Sequence, residues 1–203
     1  MSVLGTGNAA RANTPGDFDY YVMALSWQPS WCAREGDARD ADSCDARHDH
    51  GWVLHGLWPQ YEDGWPEFCE VPRLQDPSRA DSAQMVDIMG SGGLAWYQWR
   101  KHGRCTGLSG VEYYRTSRDA YDSVTRPPVF RQLPRSLEIP ARVVEEAWLE
   151  ANPELSADQI TITCRDGYVA EARICLTKDL EPRRCGRDVI RDCTATVRMD
   201  PVR

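Results

Sequence analysis

The sequence predicts an α+β fold, a central sheet packed with helices and tied by disulfides. Three observations lead there. Strand-like alternation stands near both ends of the chain, and helical periodicity fills the middle. Eight cysteines in 203 residues are an even number with no CxxC pair, which reads as four disulfides formed in an oxidising compartment. A hydrophobic fraction of 41% suits one domain with a real core.

Residues 1–16 are small and polar, and they are expected to be a flexible segment ahead of one domain over residues 17–203. Residues 18–27 read as a strand with Tyr21, Met23 and Leu25 on one side, ending near Pro29. Residues 30–50 form a loop pinned by cysteines. Residues 51–57 read as a second strand carrying His55 near its end, and residues 59–77 are turn-rich. Residues 81–89 have a helical pattern in Met85, Ile88 and Met89, ended by Gly90, Gly92 and Gly93. Residues 94–102 make a short second helix. Residues 111–124 make a third, stopped by Pro127 and Pro128. Pro140 suits the first position of a fourth helix, which runs through Val143, Val144, Ala147, Trp148 and Leu149 to Pro153. Residues 160–163 and 168–176 alternate as a hairpin, and residues 185–197 close the fold as a strand or extended tail.

The formal charge of −7 argues against broad electrostatic capture of nucleic acid, which needs a basic surface. A small pocket for one or two nucleotides is still compatible with it. The acidic run of Glu35, Asp37, Asp40, Asp42, Asp45 and Asp49 reads as a solvated loop. Eight tryptophans and eight tyrosines stand against three phenylalanines; most suit a core, and such rings also stack on bases. No apolar run approaches the roughly twenty residues of a membrane-spanning helix. Residues 1–12 lack the long apolar stretch of a signal peptide, although Ala10-Arg11-Ala12 is similar to the tail of a cleavage region. An exported protein, secreted or held in a periplasm or vacuolar lumen, is therefore expected. So is a monomer.

Two of the four histidines stand out. His55 lies in Trp52-Val53-Leu54-His55-Gly56-Leu57-Trp58-Pro59, and His102 in Trp96-Tyr97-Gln98-Trp99-Arg100-Lys101-His102-Gly103. Imidazole changes charge near neutral pH, so two of them across one phosphate could take one proton and give another. On a helix, Gln98, Lys101 and His102 share a face, with Trp99 and Leu94 free to turn to the core. Lys101 offers charge and Gln98 a donor to a phosphate that gathers negative charge in its transition state. Each has a bland reading when taken singly: a structural histidine, a solvated lysine, an uninformative glutamine, glycines that only mark turns.

The two motifs in order change the balance. The chain resembles the ribonuclease T2 family of secreted acid endoribonucleases. His55-Gly56-Leu57-Trp58-Pro59 matches the family's first active-site segment. Trp99, Lys101, His102 and Gly103, followed by Cys105, match the second. The opening Phe18-Asp19-Tyr20-Tyr21-Val22-Met23-Ala24-Leu25-Ser26-Trp27 is similar to its first strand. Asn152-Pro153-Glu154-Leu155 and Glu171-Ala172-Arg173-Ile174-Cys175 are similar to its C-terminal half. The resemblance covers about residues 18–193.

It implies a mostly antiparallel central sheet and a metal-independent endoribonuclease acting on single-stranded RNA, with no cofactor. His102 would be the general base toward the ribose 2′-OH and His55 the general acid toward the leaving 5′-oxygen. The product would be a 2′,3′-cyclic phosphate, then a 3′-phosphate. Lys101 would stabilise the phosphorane. Tyr97 stands where many members carry histidine, and Gln98 where many carry glutamate; a phenol and an amide can still hydrogen-bond phosphate. Trp58 matches a base-stacking indole, Gln60 falls where many members have a base-bonding aspartate, and Tyr61 and Trp65 would complete that pocket. The resemblance also implies disulfides Cys69–Cys105, Cys164–Cys193 and Cys175–Cys185, which leaves Cys32 with Cys44.

Two rivals have features in their favour. A metal-binding module could draw on Cys44, His48, His50 and His55, although zinc sites show tighter paired spacing. An inactive RNA-binding or defence protein on the same fold would account for Tyr97 and Gln98.

Overall fold

The computed structural model describes residues 13–203; the flexibility expected of residues 1–12 lies outside the described residues. Strand β1 (Tyr20–Trp27) runs into a one-turn helix, α1 (Gln28–Trp31), and β2 spans Trp52–Gln60. Three short helices follow: α2 (Arg79–Ala83), α3 (Val86–Met89) and α4 (Gly92–Lys101). Helix α5 covers Gly110–Asp122, strand β3 Leu137–Pro140 and helix α6 Ala141–Ala151. Strands β4 (Ile160–Arg165), β5 (Tyr168–Leu176) and β6 (Thr196–Met199) complete the chain. The mixed α+β fold is as expected.

The strands form one sheet ordered β2–β1–β5–β6–β3, with β4 pairing β5 off that path. Every pairing is antiparallel except β5 with β6, which meet in parallel at Tyr168 and Arg198. Residues opposite one another share a face. One face presents Tyr21, Met23, Leu25 and Trp27 from β1 with Leu54, Leu57 and Ile174 beside them, all in the main core. Trp99, Tyr113 and Trp148 come down onto it from α4, α5 and α6. Trp27, Trp99 and Trp148 are fully buried; each removes on the order of 200 Å² from water, worth about 5 kcal/mol before chain entropy is counted. The opposite face carries a smaller cluster of Tyr20, Val22, Cys175, Cys185 and Val189, against which Trp58 packs.

Several elements differ from expectation for local reasons. Residues 30–50 are not an open loop; they fold into short helical turns within a segment closed by Cys32–Cys44. The helix over residues 81–89 is two helices, because Met85 sits at φ −89°, ψ −3° between them. Gly90 does stop the second, at φ 73°, a left-handed conformation that glycine adopts at no steric cost. Gly92 and Gly93 instead begin α4, where the Ser91 hydroxyl accepts from the Leu94 N–H. Ser109 and Glu112 form a capping box that starts α5 at Gly110. Pro140 is the residue before α6 rather than its first, since it also closes β3 opposite Thr196. The last strand lies at Thr196–Met199, and most of residues 185–195 are irregular.

Four disulfides join Cys32–Cys44, Cys69–Cys105, Cys164–Cys193 and Cys175–Cys185. They fit an oxidising compartment. Among the described residues, no helix is long and apolar enough to cross a membrane.

Candidate active site

His55 reaches its place through a fault in the sheet. Ala24 pairs with Gly56 but Leu25 pairs with Leu54, so His55 is an extra residue, a β-bulge. Strict alternation would send His55 to the same side as Leu57, into the core. With the bulge, Leu54 and Leu57 both stay in the core, and the imidazole emerges beside Trp58 on the other face. Helix α5 fastens this strand, since the Tyr113 hydroxyl donates to the Leu57 carbonyl at 2.9 Å.

His102 sits at the C-terminal end of α4, its N–H bonded to the Gln98 carbonyl. Three contacts hold this end. The Phe68 N–H donates to the Lys101 carbonyl at 2.8 Å, Cys105 is tied to Cys69, and the Trp99 indole donates to Asp76 at 2.8 Å. The His102 ring is 6% exposed. Burial, then the charges of Lys101 and His55, push its pKa down to about 3. Its Nδ1 is buried without a partner among the described residues, which leaves Nε2 for a substrate.

The two imidazoles meet across Trp58. His102 stacks on the indole at 5.3 Å and 30°, and His55 stands edge-on to it at 5.3 Å and 79°. The indole Nε1 donates to Gln98 Oε1 at 2.8 Å. Because indole only donates, this contact assigns the amide oxygen. Gln98 Nε2 has no hydrogen-bond partner among the described residues. Gly56 permits the packing: a Cβ there would run into both Gln98 Oε1 and Trp58 Nε1.

A cavity of about 360 Å³ opens over these groups, lined by His55, Trp58, Gln60, Trp65, Tyr97, Gln98, Lys101 and His102. Trp65 is 50% exposed at its rim, and Lys101 Nζ lies 3.5 Å from Glu67. Tyr61 sits apart from the other expected base-pocket residues. It is 7% exposed, packed in the main core and absent from the cavity lining.

Sequence reasoning did not single out the charged residues that reach the site from the C-terminal half. Arg173, Asp188 and Arg191 line the cavity. Glu171, outside that lining, accepts from His55 Nδ1 at 2.5 Å and from Arg173 Nε at 2.9 Å. It reaches His55 from two strands away because β1 places only Ala24 and Ser26 between them. Burial alone would raise the Glu171 carboxyl, but the His55 hydrogen bond and charge and the Arg173 guanidinium outweigh it and hold the carboxyl at about 2. The ionised oxygen only accepts, so Nδ1 carries the hydrogen. A Glu-x-Arg pair inside an otherwise apolar strand was the available signal.

Three of the four residues of the metal alternative have other partners, and His50 stacks on His48. Cys44 is bonded to Cys32, His48 contacts Asp42, and His55 contacts Glu171.

The sequence model of the ribonuclease T2 family matches residues 18–185. A protein named Ribonuclease from Aeromonas hydrophila is 43% identical over 104 residues, covering 51% of this chain and 45% of its own. Among solved structures, an RNase-related protein from Calystegia sepium superposes with a TM-score of 0.65 at 19% identity, covering 91% of this chain and 99% of that one. RNase NT, solved in complex with 5′-AMP, gives 0.57 at 17% identity, covering 91% and 98%. At such identities the likeness shows a shared fold. The chain spans about half the length of the curated relatives it matches.

Proposed function

The chain belongs to the ribonuclease T2 family, and on that premise we propose that it is an endoribonuclease that cleaves single-stranded RNA without a metal ion. The reaction is transphosphorylation to a 2′,3′-cyclic phosphate, followed by hydrolysis to a 3′-phosphate. One observation carries the reading: two imidazoles of opposite character face one cavity. His102 is desolvated and neutral above about pH 3, as a proton acceptor must be. His55 has Nδ1 committed to a carboxylate, so Nε2 is the nitrogen that can hand over a proton.

His102 Nε2 takes the proton of the ribose 2′-OH, and the 2′-oxygen attacks phosphorus. The P–O5′ bond breaks as His55 Nε2 protonates the leaving oxygen. In the second step the two rings exchange roles, and water replaces the alcohol. Lys101, the Gln98 amide nitrogen and the Tyr97 hydroxyl meet the charge that develops on the phosphoryl oxygens. Trp58, Gln60 and Trp65 hold the base. The nucleophile is a group that DNA lacks, which makes RNA the substrate. The negative net charge fits a protein that grips a few nucleotides rather than a long duplex. We take it to act as a monomer in an exported, oxidising setting, in keeping with its four disulfides.

The test is incubation of EDTA-dialysed protein with single-stranded RNA and with DNA of the same sequence. Fragments from RNA alone are expected. Cleavage of DNA, or activity that returns only on adding a divalent ion, would refute the reading. No cleavage between pH 4 and 8 would leave an RNA-binding role in its place.

A further inference from the structure

We infer that Glu171 is a positioning residue for proton donation by His55, and that its second oxygen holds Arg173 as a ligand for the scissile phosphate. This rests on the ribonuclease reading above and adds two residues of β5 to it.

The geometry is specific. Glu171 is a buried acid on a sheet face, and a buried carboxylate is costly unless both oxygens find partners. Here they find two different ones. Oε1 accepts from His55 Nδ1 at 2.5 Å, while Oε2 accepts from Arg173 Nε at 2.9 Å and lies 2.7 Å from its Nη2. One carboxylate thus fixes an imidazole and a guanidinium together. Both then stand at the same indole, with the His55 centroid and the Arg173 Cζ each 5.3 Å from the Trp58 ring.

His55 needs such an anchor. As the extra residue of a bulge it has no residue opposite it on β1 to pack its ring. The bond to Glu171 settles both the ring plane and the tautomer, and so aims Nε2 at the leaving oxygen. Arg173 answers a different need. Helix α4 offers the phosphate one cation, Lys101, beside the neutral Tyr97 and Gln98. Arg173 lines the same cavity from β5, and its Nη1 has no hydrogen-bond partner among the described residues. During the step a proton passes from His55 Nε2 to O5′ as P–O5′ breaks. Glu171 keeps its charge and exchanges no proton.

A leaving-group comparison separates this role from a structural ion pair. A dinucleoside phosphate needs its leaving oxygen protonated; the matching nucleoside 3′-(4-nitrophenyl phosphate) releases a stable anion and does not. Glu171→Gln (E171Q) should lower kcat/KM on the dinucleoside by at least about tenfold more than on the aryl ester, part of the roughly 10²–10⁴ that a positioned acid supplies. Arg173→Ala (R173A) should lower both by similar factors, because both substrates carry the phosphate. Equal losses on the two substrates in E171Q would overturn the positioning role, and unchanged rates in R173A would overturn the phosphate contact. If E171Q does not fold, Glu171→Asp gives the same comparison with the charge kept but withdrawn by one methylene. His55→Ala is the control: equal loss on both substrates there would mean that His55 is not the acid, and the ribonuclease mechanism itself would fail.

Discussion

Replacing His102 with phenylalanine (H102F) should destroy turnover and, at acid pH, make the protein more stable. The ring is 6% exposed and stacked on Trp58 at 5.3 Å, a space that a benzyl group can fill. Burial and the neighbouring charges move its pKa from the 6.5 of a solvated imidazole to about 3 in the fold. Between those values the unfolded chain binds a proton that the folded chain does not. Wild-type stability therefore falls as pH drops through this window, by about 1.4 kcal/mol per pH unit. The loss is roughly 3 kcal/mol by pH 4 and roughly 4 kcal/mol by pH 3. Phenylalanine does not titrate, so the advantage of H102F over wild type should grow by those amounts as pH is lowered. Carboxylates common to both proteins cancel in the difference. Urea unfolding of both proteins at several pH values measures it, and turnover of a dinucleoside phosphate measures the lost base, about 10²–10⁴-fold. A stability difference that stays flat with pH would refute the desolvated neutral ring. Parental turnover would refute its role as base.

Two further outcomes follow from the same geometry. Gln98→Glu (Q98E) puts an anion one helical turn before His102, which favours the charged ring; the acid limb of the pH–rate profile should move to higher pH, and an unmoved limb would show that the two side chains do not sense one another. Gly56→Ala (G56A) drives a methyl into Gln98 Oε1 and Trp58 Nε1; it should cost about 1–3 kcal/mol in urea unfolding and lower kcat, whereas parental values for both would mean that the Trp58–Gln98 contact is dispensable.

How much of this was legible in the sequence depends on the range over which each feature is determined. The long strands and α4, α5 and α6 announce themselves by periodicity, and the α+β class follows from them. Strand β3 does not, because four residues are too few to show alternation and β3 exists only through pairing with β6. The start of α4 was hidden by Gly92 and Gly93, which look like a stop until Ser91 is seen capping the helix. The histidine motifs point to a site, yet the alternation of β2 would bury His55, and the bulge that exposes it is visible only in the register with β1. Glu171 lies 116 positions from His55, and no local pattern pairs them. Gln98 reads as a phosphate donor; the structure adds that its oxygen is already committed to Trp58. Tyr61 follows the motif closely, and its burial in the core is set by packing that the motif does not show.

The most direct test follows a dinucleoside phosphate by phosphorus NMR in the presence of EDTA. The account predicts a transient 2′,3′-cyclic phosphate that gives way to a 3′-phosphate, with the 5′-hydroxyl nucleoside released in the first step. Products bearing a 5′-phosphate, or a 3′-phosphate formed with no cyclic precursor even at the earliest times, would contradict in-line attack by the 2′-oxygen between His102 and His55.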